Sequence, residues 1–391
     1  MAKNFITKTI ILVSFVSLFT DIASEMLYPV MPVFLKSIGF SVLLIGILEG
    51  VAEATAGLSK GYFGHLSDNL GKRVLFVRWG YLLSAISKPM LAVFTFPIWI
   101  FSARTIDRLG KGIRNSARDA LLSDESTPQI KGKVFGFHRG MDTLGAAIGP
   151  VVALIYLYFY PKNYKWLFVI AFAPGLIAVA LTLFLKEKRI VTNPKEKNIG
   201  FFRFFKYWNQ SPKNYKMLVI GLVSFTLFNS SDAFLLLMVK EQGYSDTQMI
   251  SLYIFYNLVY AILAFPMGHL ADKIGMKKVL IFGITIFGIV YLLFGLSSKL
   301  TTLAILFGLY ALYAASTEGI SKAWISNLAS KEKTATAIGL FNTLQSIATL
   351  VASSLAGLIW FKFGATPVFI ISGTVALGVA LYLTVFIKEY K

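Results

Sequence analysis

GHLSDNLGKRVL, the stretch at residues 64–75, occurs again as GHLADKIGMKKVL at residues 268–280, half a chain later. In each copy a glycine and an aspartate end one apolar stretch, and a second glycine with basic residues opens the next. A repeat of this kind between long apolar segments is typical of a duplicated bundle of membrane helices. The repeat therefore predicts two related halves with the same turn in each.

The composition indicates a chain that crosses a membrane many times. Hydrophobic residues make up 56% of the 391 residues and the mean hydropathy is +0.68. Charged residues are only 15%, whereas soluble domains average about 25%. Apolar stretches of about 20 residues, enough to cross a bilayer, recur throughout. We predict twelve spans, near residues 9–34, 42–64, 74–95, 98–120, 134–159, 166–185, 217–239, 247–268, 279–297, 302–326, 335–361 and 366–387.

The start of the chain is expected to stay in the membrane. The first apolar run continues past Asp21 and Glu25 to Phe34 without a small-residue cleavage site, so it does not have the form of a signal peptide. We divide the chain into an N-terminal six-helix bundle (residues 1–186), a linker (187–216) and a C-terminal six-helix bundle (217–391). The linker contains FFRFFKYW, residues 201–208, and this aromatic and basic mixture is typical of a segment in the membrane interface.

The net charge of +19 follows the predicted topology. Lysine and arginine cluster in alternate loops and most densely in the linker. By the positive-inside rule, this places both termini and the linker in the cytoplasm of a multi-pass protein of the cell (inner) membrane. Since loop charge of this kind needs no other explanation, we expect the lipid bilayer as a partner and no nucleic acid.

Charged residues inside the spans are unevenly distributed. Each costs about 3 kcal/mol on insertion scales and is therefore a candidate for a functional site. Spans three, six, nine and twelve hold almost none, with Lys88 as the exception, so we expect these spans to face lipid and the others to surround a polar interior. The charged or titratable residues of the other spans are Asp21, Glu25, Glu49, Glu53, Lys60, Arg104, Asp107, Arg108, His138, Arg139, Asp142, Asp232, Glu318 and Lys322.

The charges of the first half fall into predicted layers. Several are spaced four apart and so share a helical face, and depth is counted at about 1.5 Å per residue. The outer layer contains Glu25, Glu49 and Arg104; the layer near the midplane contains Asp21, Glu53 and Arg108, which Asp107 can join; and nearer the cytoplasm lie His138, Arg139 and Asp142, with Lys111 in reach. In the second half, Glu318 and Lys322 are spaced as an i,i+4 pair, and Asp232 has no obvious local partner.

Two interpretations of these charges remain open. In the first, arginines neutralise carboxylates and tie the helices together, because unpaired buried charges are prohibitive. In the second, carboxylates exchange protons or bind cations. The candidate proton- or cation-binding residues are Asp21, Glu25, Glu49, Glu53, Asp232 and Glu318. The candidate counter-charges or substrate-binding residues are Arg104, Asp107, Arg108, His138, Arg139, Asp142 and Lys322.

Other chemistry is scarce in the sequence. There is no cysteine, and the three histidines are widely spaced, so we expect no bound metal centre and no cofactor. No nucleophile elbow or phosphate loop is present, and we expect no enzyme. Carboxylate-rich sites also attract hard cations, which leaves a divalent metal open as a substrate.

The doubled motif resembles the signature between helices two and three, and again between eight and nine, of major facilitator superfamily transporters. GAAIGP, residues 145–150, is similar to that family's helix-five motif, often found in antiporters. The resemblance implies an all-α fold of twelve membrane helices in two pseudo-symmetric bundles, a monomer, a cytoplasmic gate that Asp68 and Asp272 help to close, and close helix packing at Gly64 and Gly268. The whole gate motif comprises Gly64, Asp68, Gly71, Arg73, Gly268, Asp272, Gly275 and Lys278.

Further segments resemble a narrower bacterial group of facilitators that are loosely described as efflux proteins for drugs or metals. These segments are residues 20–29, 107–114, 118–121 and 135–142. Span four departs from the usual pattern, because it carries two arginines and an aspartate in place of one arginine.

The sequence therefore predicts a secondary active transporter that works by alternating access. The expected mechanism is proton-coupled antiport, energised by the proton gradient, that exports a cationic or amphipathic solute or a metal ion. One alternative is transport of an anionic metabolite bound by Arg104, Arg108 and Arg139. A more distant alternative is a membrane sensor or enzyme without transport, which requires a catalytic motif or an added soluble domain.

Overall fold

The computed structural model describes residues 6–188, 200–229 and 232–387, and these residues form helices and connecting turns without a β-strand. Residues 189–199 of the predicted linker lie outside the described residues. The first half forms α1 (Lys8–Glu25), α2 (Met31–Ser37), α3 (Val42–Leu70), α4 (Val74–Val93), α5 (Pro97–Asp124), α6 (Lys131–Phe159) and α7 (Tyr164–Leu183). The rest forms α8 (Lys206–Gln210), α9 (Lys213–Thr226), α10 (Ala233–Glu241), α11 (Asp246–Ile274), α12 (Met276–Phe294), α13 (Leu300–Leu328), α14 (Thr334–Phe363) and α15 (Ala365–Phe386).

Each of the twelve predicted spans coincides with one long helix or with a pair of shorter ones, so the predicted order of elements is confirmed. Seven of the described segments are long and apolar enough to cross a membrane by length and hydropathy alone: Pro128–Phe159, Tyr164–Leu183, Thr247–Ile274, Met276–Phe294, Leu300–Leu328, Lys331–Phe363 and Ala365–Phe386.

The first span of each half is broken. Span one consists of α1 and α2, separated by a turn that contains Pro29. A proline lacks the N–H that a continuing helix needs and disfavours helical backbone in the residue before it. Span seven consists of α9 and α10. Broken helices in corresponding positions of two repeats are a feature of transporter binding sites.

In both copies of the motif, the second glycine has a positive φ angle that favours glycine at that position. Gly71 ends α3 with φ of 61°, in the left-handed region, and Gly275 lies between α11 and α12 with φ of 104°. Residues that carry a side chain rarely adopt such positive φ angles. The two glycines therefore form the sharp turns between α3 and α4 and between α11 and α12, and the first of these turns brings Arg73 to Asp68.

The chain forms two compact units that differ from the two sequence halves. Unit 1 consists of Met1–Ser126, Met141–Asn209 and Ser330–Thr343, and unit 2 consists of Thr127–Gly140, Gln210–Ala329 and Leu344–Lys391. The first turns of α6 thus belong to unit 2, and the first turns of α14 belong to unit 1.

The segment that follows α7 is bound to α4 in unit 1. The Glu187 carboxylate accepts hydrogen bonds from the backbone N–H groups of Arg73, Val74 and Leu75 at 2.7, 3.2 and 3.1 Å. These amides have no partner within their own helix, so the carboxylate caps the start of α4. Arg78 donates in turn to carbonyl oxygens at the end of α7 and just beyond it.

Part of the predicted interfacial segment lies inside unit 1 instead. The Phe204 ring is fully buried where Gly61 of α3 has no side chain, and Tyr207 is also buried. Burial, with the Asp68 carboxylate nearby, raises the pKa of Tyr207 to about 12. Phe202 stays 62% exposed, so only some of these aromatic residues are available to a membrane surface.

Candidate functional site

A charged cavity lies within unit 1, between α1, α3, α4 and α5. Its volume is about 240 Å³. Four acidic and five basic side chains line it, together with small polar and apolar ones: Asp21, Ser24, Glu25, Leu27, Tyr28, Glu53, Ser87, Lys88, Leu91, Ala103, Arg104, Asp107, Arg108, Lys111 and Arg114. The cavity therefore brings together most of the charges that the sequence places in spans one, two and four.

Two of the ion pairs join α3 and α5. Arg104 Nη2 lies 2.6 Å from Glu49 Oε1, and Arg108 Nη2 lies 3.3 Å from Glu53 Oε1. The residues of each pair share one of the layers predicted from the sequence. Both arginines are largely buried, and a buried guanidinium needs such a partner.

A third pair joins α4 and α5 and was not foreseen from the sequence. Lys88 Nζ lies 2.7 Å from Asp107 Oδ1, and both residues are buried. Arg104 lies 3.9 Å from the other oxygen of the same carboxylate. A lone lysine in an otherwise apolar span is a signal that an acidic partner lies on a neighbouring helix, because an isolated buried charge is prohibitive.

Four charged groups of the cavity remain outside these pairs. Among the described residues, Asp21, Glu25, Lys111 and Arg114 form no ion pair within 4 Å. Arg114 instead donates to Ser84 Oγ at 2.5 Å and lies over the Tyr81 ring at 4.6 Å. The cavity thus offers two carboxyl groups and two cationic groups whose charges are not neutralised by close contact.

Asp21 connects the cavity to a second buried group, Asp142 of α6. The Asp21 and Asp142 carboxyl groups are close neighbours. Ser17, one turn before Asp21 on α1, donates to Asp142 Oδ1 at 2.5 Å. Arg118 Nη1 lies 3.9 Å from that same oxygen and the arginine pairs with Asp119 at 3.0 Å. These contacts form a buried network that reaches the cavity through Asp21.

Glycines of α6 make this contact possible. A Cβ atom on Gly145 would lie 2.5 Å from the Leu18 carbonyl oxygen and 3.0 Å from Asp21 Cβ. One on Gly149 would lie 2.7 Å from the Met26 nitrogen. The GAAIGP segment therefore lets α6 approach α1 closely, which holds Asp142 beside Asp21.

The three residues His138, Arg139 and Asp142 are neighbours in the sequence but do not share one site. Asp142 belongs to unit 1, whereas His138 and Arg139 belong to unit 2. In unit 2, Arg139 forms a short ion pair with Glu318 and donates to the Tyr260 hydroxyl at 2.7 Å. Lys111 is therefore not the common partner that the sequence suggested.

The carboxylates of unit 2 have partners that were not expected. Glu318 pairs with Arg139 of α6, whereas its pairing with Lys322 of the same helix stays a prediction. Asp232 accepts a hydrogen bond of 2.7 Å from the Tyr310 hydroxyl. This partner is distant in the sequence, where Asp232 has no obvious local partner. Only the fold brings a tyrosine of α13 to the break in span seven.

In unit 1, the first copy of the repeated motif caps a helix. Asp68 accepts hydrogen bonds from the backbone N–H groups of Ala335 and Thr336, at 3.3 and 2.5 Å, and from the Thr336 hydroxyl at 2.5 Å. Its carboxylate also pairs with the buried Arg73 at 2.5 Å, and Arg73 pairs with Asp124 at 3.2 Å. An anion at a helix N-terminus satisfies free amides and complements the helix dipole.

In unit 2, the second copy does the same for α6. Asp272 accepts hydrogen bonds from the backbone N–H groups of Gly132 and Lys133 at 2.7 and 2.8 Å. Among the described residues Asp272 forms no ion pair, in contrast to Asp68. Lys278 lines a separate cavity of about 720 Å³ beside Asp272 and Gly275.

The first glycine of each copy allows these contacts. A Cβ atom on Gly64 would overlap the Ala335 carbonyl oxygen, and one on Gly268 would overlap the Gly132 carbonyl oxygen. The starts of α14 and α6 therefore lie directly on the glycine surfaces of α3 and α11. In the part of the chain that the structure describes, no group of three His, Asp or Glu side chains is arranged to hold a metal ion.

Both the sequence and the fold match known proteins. A sequence model of the Major Facilitator Superfamily matches residues 13–255 and 217–391. An uncharacterised MFS-type transporter of Methanocaldococcus jannaschii is 35% identical over 361 residues, which cover 91% of this chain and 89% of the relative. The quinolone resistance protein NorA of Staphylococcus aureus is 24% identical over 196 residues, 50% of this chain and 48% of NorA. The crystal structure of the human organic anion transporter MFSD10 has a TM-score of 0.79 at 17% identity, covering 96% of this chain and 98% of that one, a likeness of fold alone.

Proposed function

Because the chain belongs to the major facilitator superfamily of membrane transporters, we propose that it is a proton-coupled antiporter. It exports a small solute that carries a positive charge. The charged cavity of unit 1 is the binding site, and Asp21 with Asp142 is the proton site. The likeness to a quinolone resistance protein supports export as the direction of transport.

The observation that carries this proposal is the closeness of the Asp21 and Asp142 carboxyl groups, with Ser17 of the same face of α1 bonded to Asp142. Two negative charges that share a buried site repel each other, which favours a proton on one of the two carboxyl groups. The proton is held in a buried network, and Asp21 also lines the cavity. A cation that enters the cavity therefore favours loss of this proton, which is the exchange that antiport requires.

The helix caps supply the conformational part of the mechanism. Asp68 and Asp272 each hold the start of a long helix by backbone amides. Such contacts break and form as units because each needs a carboxylate and a helix end together. Breaking them at one stage of the cycle allows the alternating access expected of two repeated halves.

The alternative of an anionic substrate held by Arg104, Arg108 and Arg139 is less well supported. Each of these guanidinium groups already has a carboxylate partner: Glu49, Glu53 and Glu318 respectively. A purely anionic ligand has to compete with these carboxylates for the same guanidinium donors.

The remaining parts of the proposal follow from the sequence. The carrier works as a monomer in the cell (inner) membrane, with the motif turns and both termini in the cytoplasm. It uses the proton gradient and needs no cofactor.

The proton site can be tested without a known substrate. Infrared difference spectra of the purified protein in lipid, between acidic and alkaline buffer, report the C=O band of a protonated carboxyl group. We expect a buried carboxyl band that Asp21→Asn and Asp142→Asn remove. Glu241→Gln is the control, because Glu241 is an exposed carboxylate of unit 2. Unchanged spectra in both aspartate variants contradict the proposal.

A further inference from the structure

The charges left over in the cavity have both signs. The pairs Arg104–Glu49, Arg108–Glu53 and Lys88–Asp107 neutralise one another. Asp21 belongs to the proposed proton site. Among the other described residues of the cavity, one acidic side chain, Glu25, and two basic ones, Lys111 and Arg114, have no ion pair within 4 Å. A ligand that fills the cavity meets an unpaired carboxylate and unpaired cations together.

These groups lie on two different helices. Glu25 lies at the end of α1. Lys111 and Arg114 lie three residues apart on α5 and so share one helical face. The Arg114 Nε atom is buried without a hydrogen-bond partner. Burial of such a donor is costly unless a ligand satisfies it. The α1 side of the cavity thus offers negative charge and the α5 side offers positive charge.

The size of the cavity limits the ligand. At about 240 Å³ it is smaller than the roughly 300–1,000 Å³ of sites for drug-sized molecules. Its apolar lining is limited to a few side chains, among them Leu27, Leu91 and Ala103. A large amphipathic drug therefore fits this cavity poorly, whereas a molecule with the dimensions of an amino acid fits it.

Building on the proposed function, we propose that the substrate is a small zwitterion that carries an ammonium group and a carboxylate, as an amino acid does. Its ammonium group binds Glu25, one turn from the proton site at Asp21. Its carboxylate binds Lys111 and Arg114, which both line the cavity. The zwitterion brings a counter-charge to both sets of unpaired groups, whereas a simple cation or a simple anion leaves one set without a partner.

The site should distinguish the zwitterion from derivatives that lack one of its two charged groups, because such derivatives cannot make all of the contacts. A site built to hydrogen-bond a group rejects an analogue that lacks the group, because its own buried polar atoms stay unpaired. The amide of the substrate keeps the ammonium and loses the carboxylate, and the N-acetyl derivative does the reverse. Each is expected to bind roughly tenfold more weakly or worse, as the loss of one charge-assisted contact implies.

The test measures binding to the purified full-length protein. The standard amino acids are screened by the rise in unfolding temperature that a bound ligand causes. The strongest binder is then compared with its amide and its N-acetyl derivative by titration calorimetry. We expect at least one zwitterion to bind and both derivatives to bind roughly tenfold more weakly. Absence of binding by every zwitterion, or equal binding by a derivative, overturns the proposal.

Variants assign the two ends of the ligand. Lys111→Gln is expected to weaken binding of the zwitterion until it equals binding of the amide. Glu25→Gln is expected to weaken binding of the zwitterion until it equals binding of the N-acetyl derivative. Lys165→Gln is the matched control, because Lys165 is exposed on α7. If either variant unfolds, the comparison of the three ligands on the unaltered protein still decides the matter.

Failure of this inference is distinguishable from failure of the proposed function. Binding of a zwitterion without any linked proton movement supports the substrate class and contradicts proton coupling. Proton movement driven by a cationic dye, with no zwitterion bound, supports proton coupling and overturns the substrate class.

Discussion

In the first half, several charged residues inside the membrane spans are paired with a residue of opposite charge on a neighbouring helix. Lys88 and Asp107 are the clearest case, since both are buried and their atoms lie 2.7 Å apart. Removal of one partner leaves the other charge buried and uncompensated, whereas a well-packed apolar replacement of both is tolerated. The pair therefore fixes the contact between α4 and α5 more than it adds to stability.

We predict that Lys88→Met lowers the free energy of unfolding by about 3–5 kcal/mol. The double variant Lys88→Met/Asp107→Leu is expected to recover most of that loss. Both values come from denaturant unfolding in detergent micelles. A double variant that is as unstable as the single one contradicts this view of the pair.

The sequence predicted how deep these residues lie in the membrane better than it predicted which side of the helix they occupy. Counting along each helix placed Arg104 with Glu49 and Arg108 with Glu53, and the structure has both contacts. Height in the membrane does not give the position around the helix axis. For that reason Asp142 was grouped with His138 and Arg139, although its carboxyl group faces Asp21.

At the scale of elements, two caps join helices that are distant in sequence. Asp68 holds the first turn of α14 and Asp272 holds the first turn of α6. A carboxylate cap of this kind is worth about 0.5–2 kcal/mol. Loss of the cap frees the backbone amides it binds, and free amides exchange their hydrogen faster.

We predict that Asp68→Asn speeds hydrogen exchange in residues 331–343, by roughly two- to thirty-fold. Residues 128–140 should not change in this variant. Asp272→Asn is the matched control, with the opposite pattern. Exchange is measured by mass spectrometry of peptides from the two regions. Equal effects on both regions, or none, contradict the assignment of each cap to one helix.

The motif glycine should matter as much as the motif aspartate. Gly64→Ala places a methyl group on the Ala335 carbonyl oxygen, so the start of α14 has to move away from α3. We predict the same faster exchange in residues 331–343. Gly46→Ala on the same helix is the control, because nothing lies within 4 Å of its added methyl group. It should leave exchange unchanged and should stabilise α3 slightly.

The element order was predictable because long apolar stretches are a strong signal. The break in span one has a visible cause in Pro29, although we predict a continuous span there from the sequence. Span seven has no proline where it breaks, so no local feature of the sequence predicts that break. The burial of Phe204 in unit 1 also depends on a distant residue, Gly61, which no local pattern reports.

On the scale of the whole molecule, the two repeated halves have diverged in chemistry. The cavity of unit 1 is lined by nine charged residues. In unit 2, Asp232 is bound by a tyrosine, and aromatic rings such as Tyr256 and Tyr310 pack together at 5.2 Å. We infer that the first half binds the proton and the charged substrate, and that the second half completes the conformational cycle.

The most direct test of proton-coupled antiport is transport in proteoliposomes under an imposed pH gradient. Lumenal pH is followed while cationic dyes, divalent metals and zwitterions are added in turn. The account predicts that at least one of them moves protons in the unaltered protein and in Glu241→Gln. It predicts no such movement in folded Asp21→Asn or Asp142→Asn. Proton movement that persists in both aspartate variants, or its absence with every solute in the unaltered protein, contradicts the account.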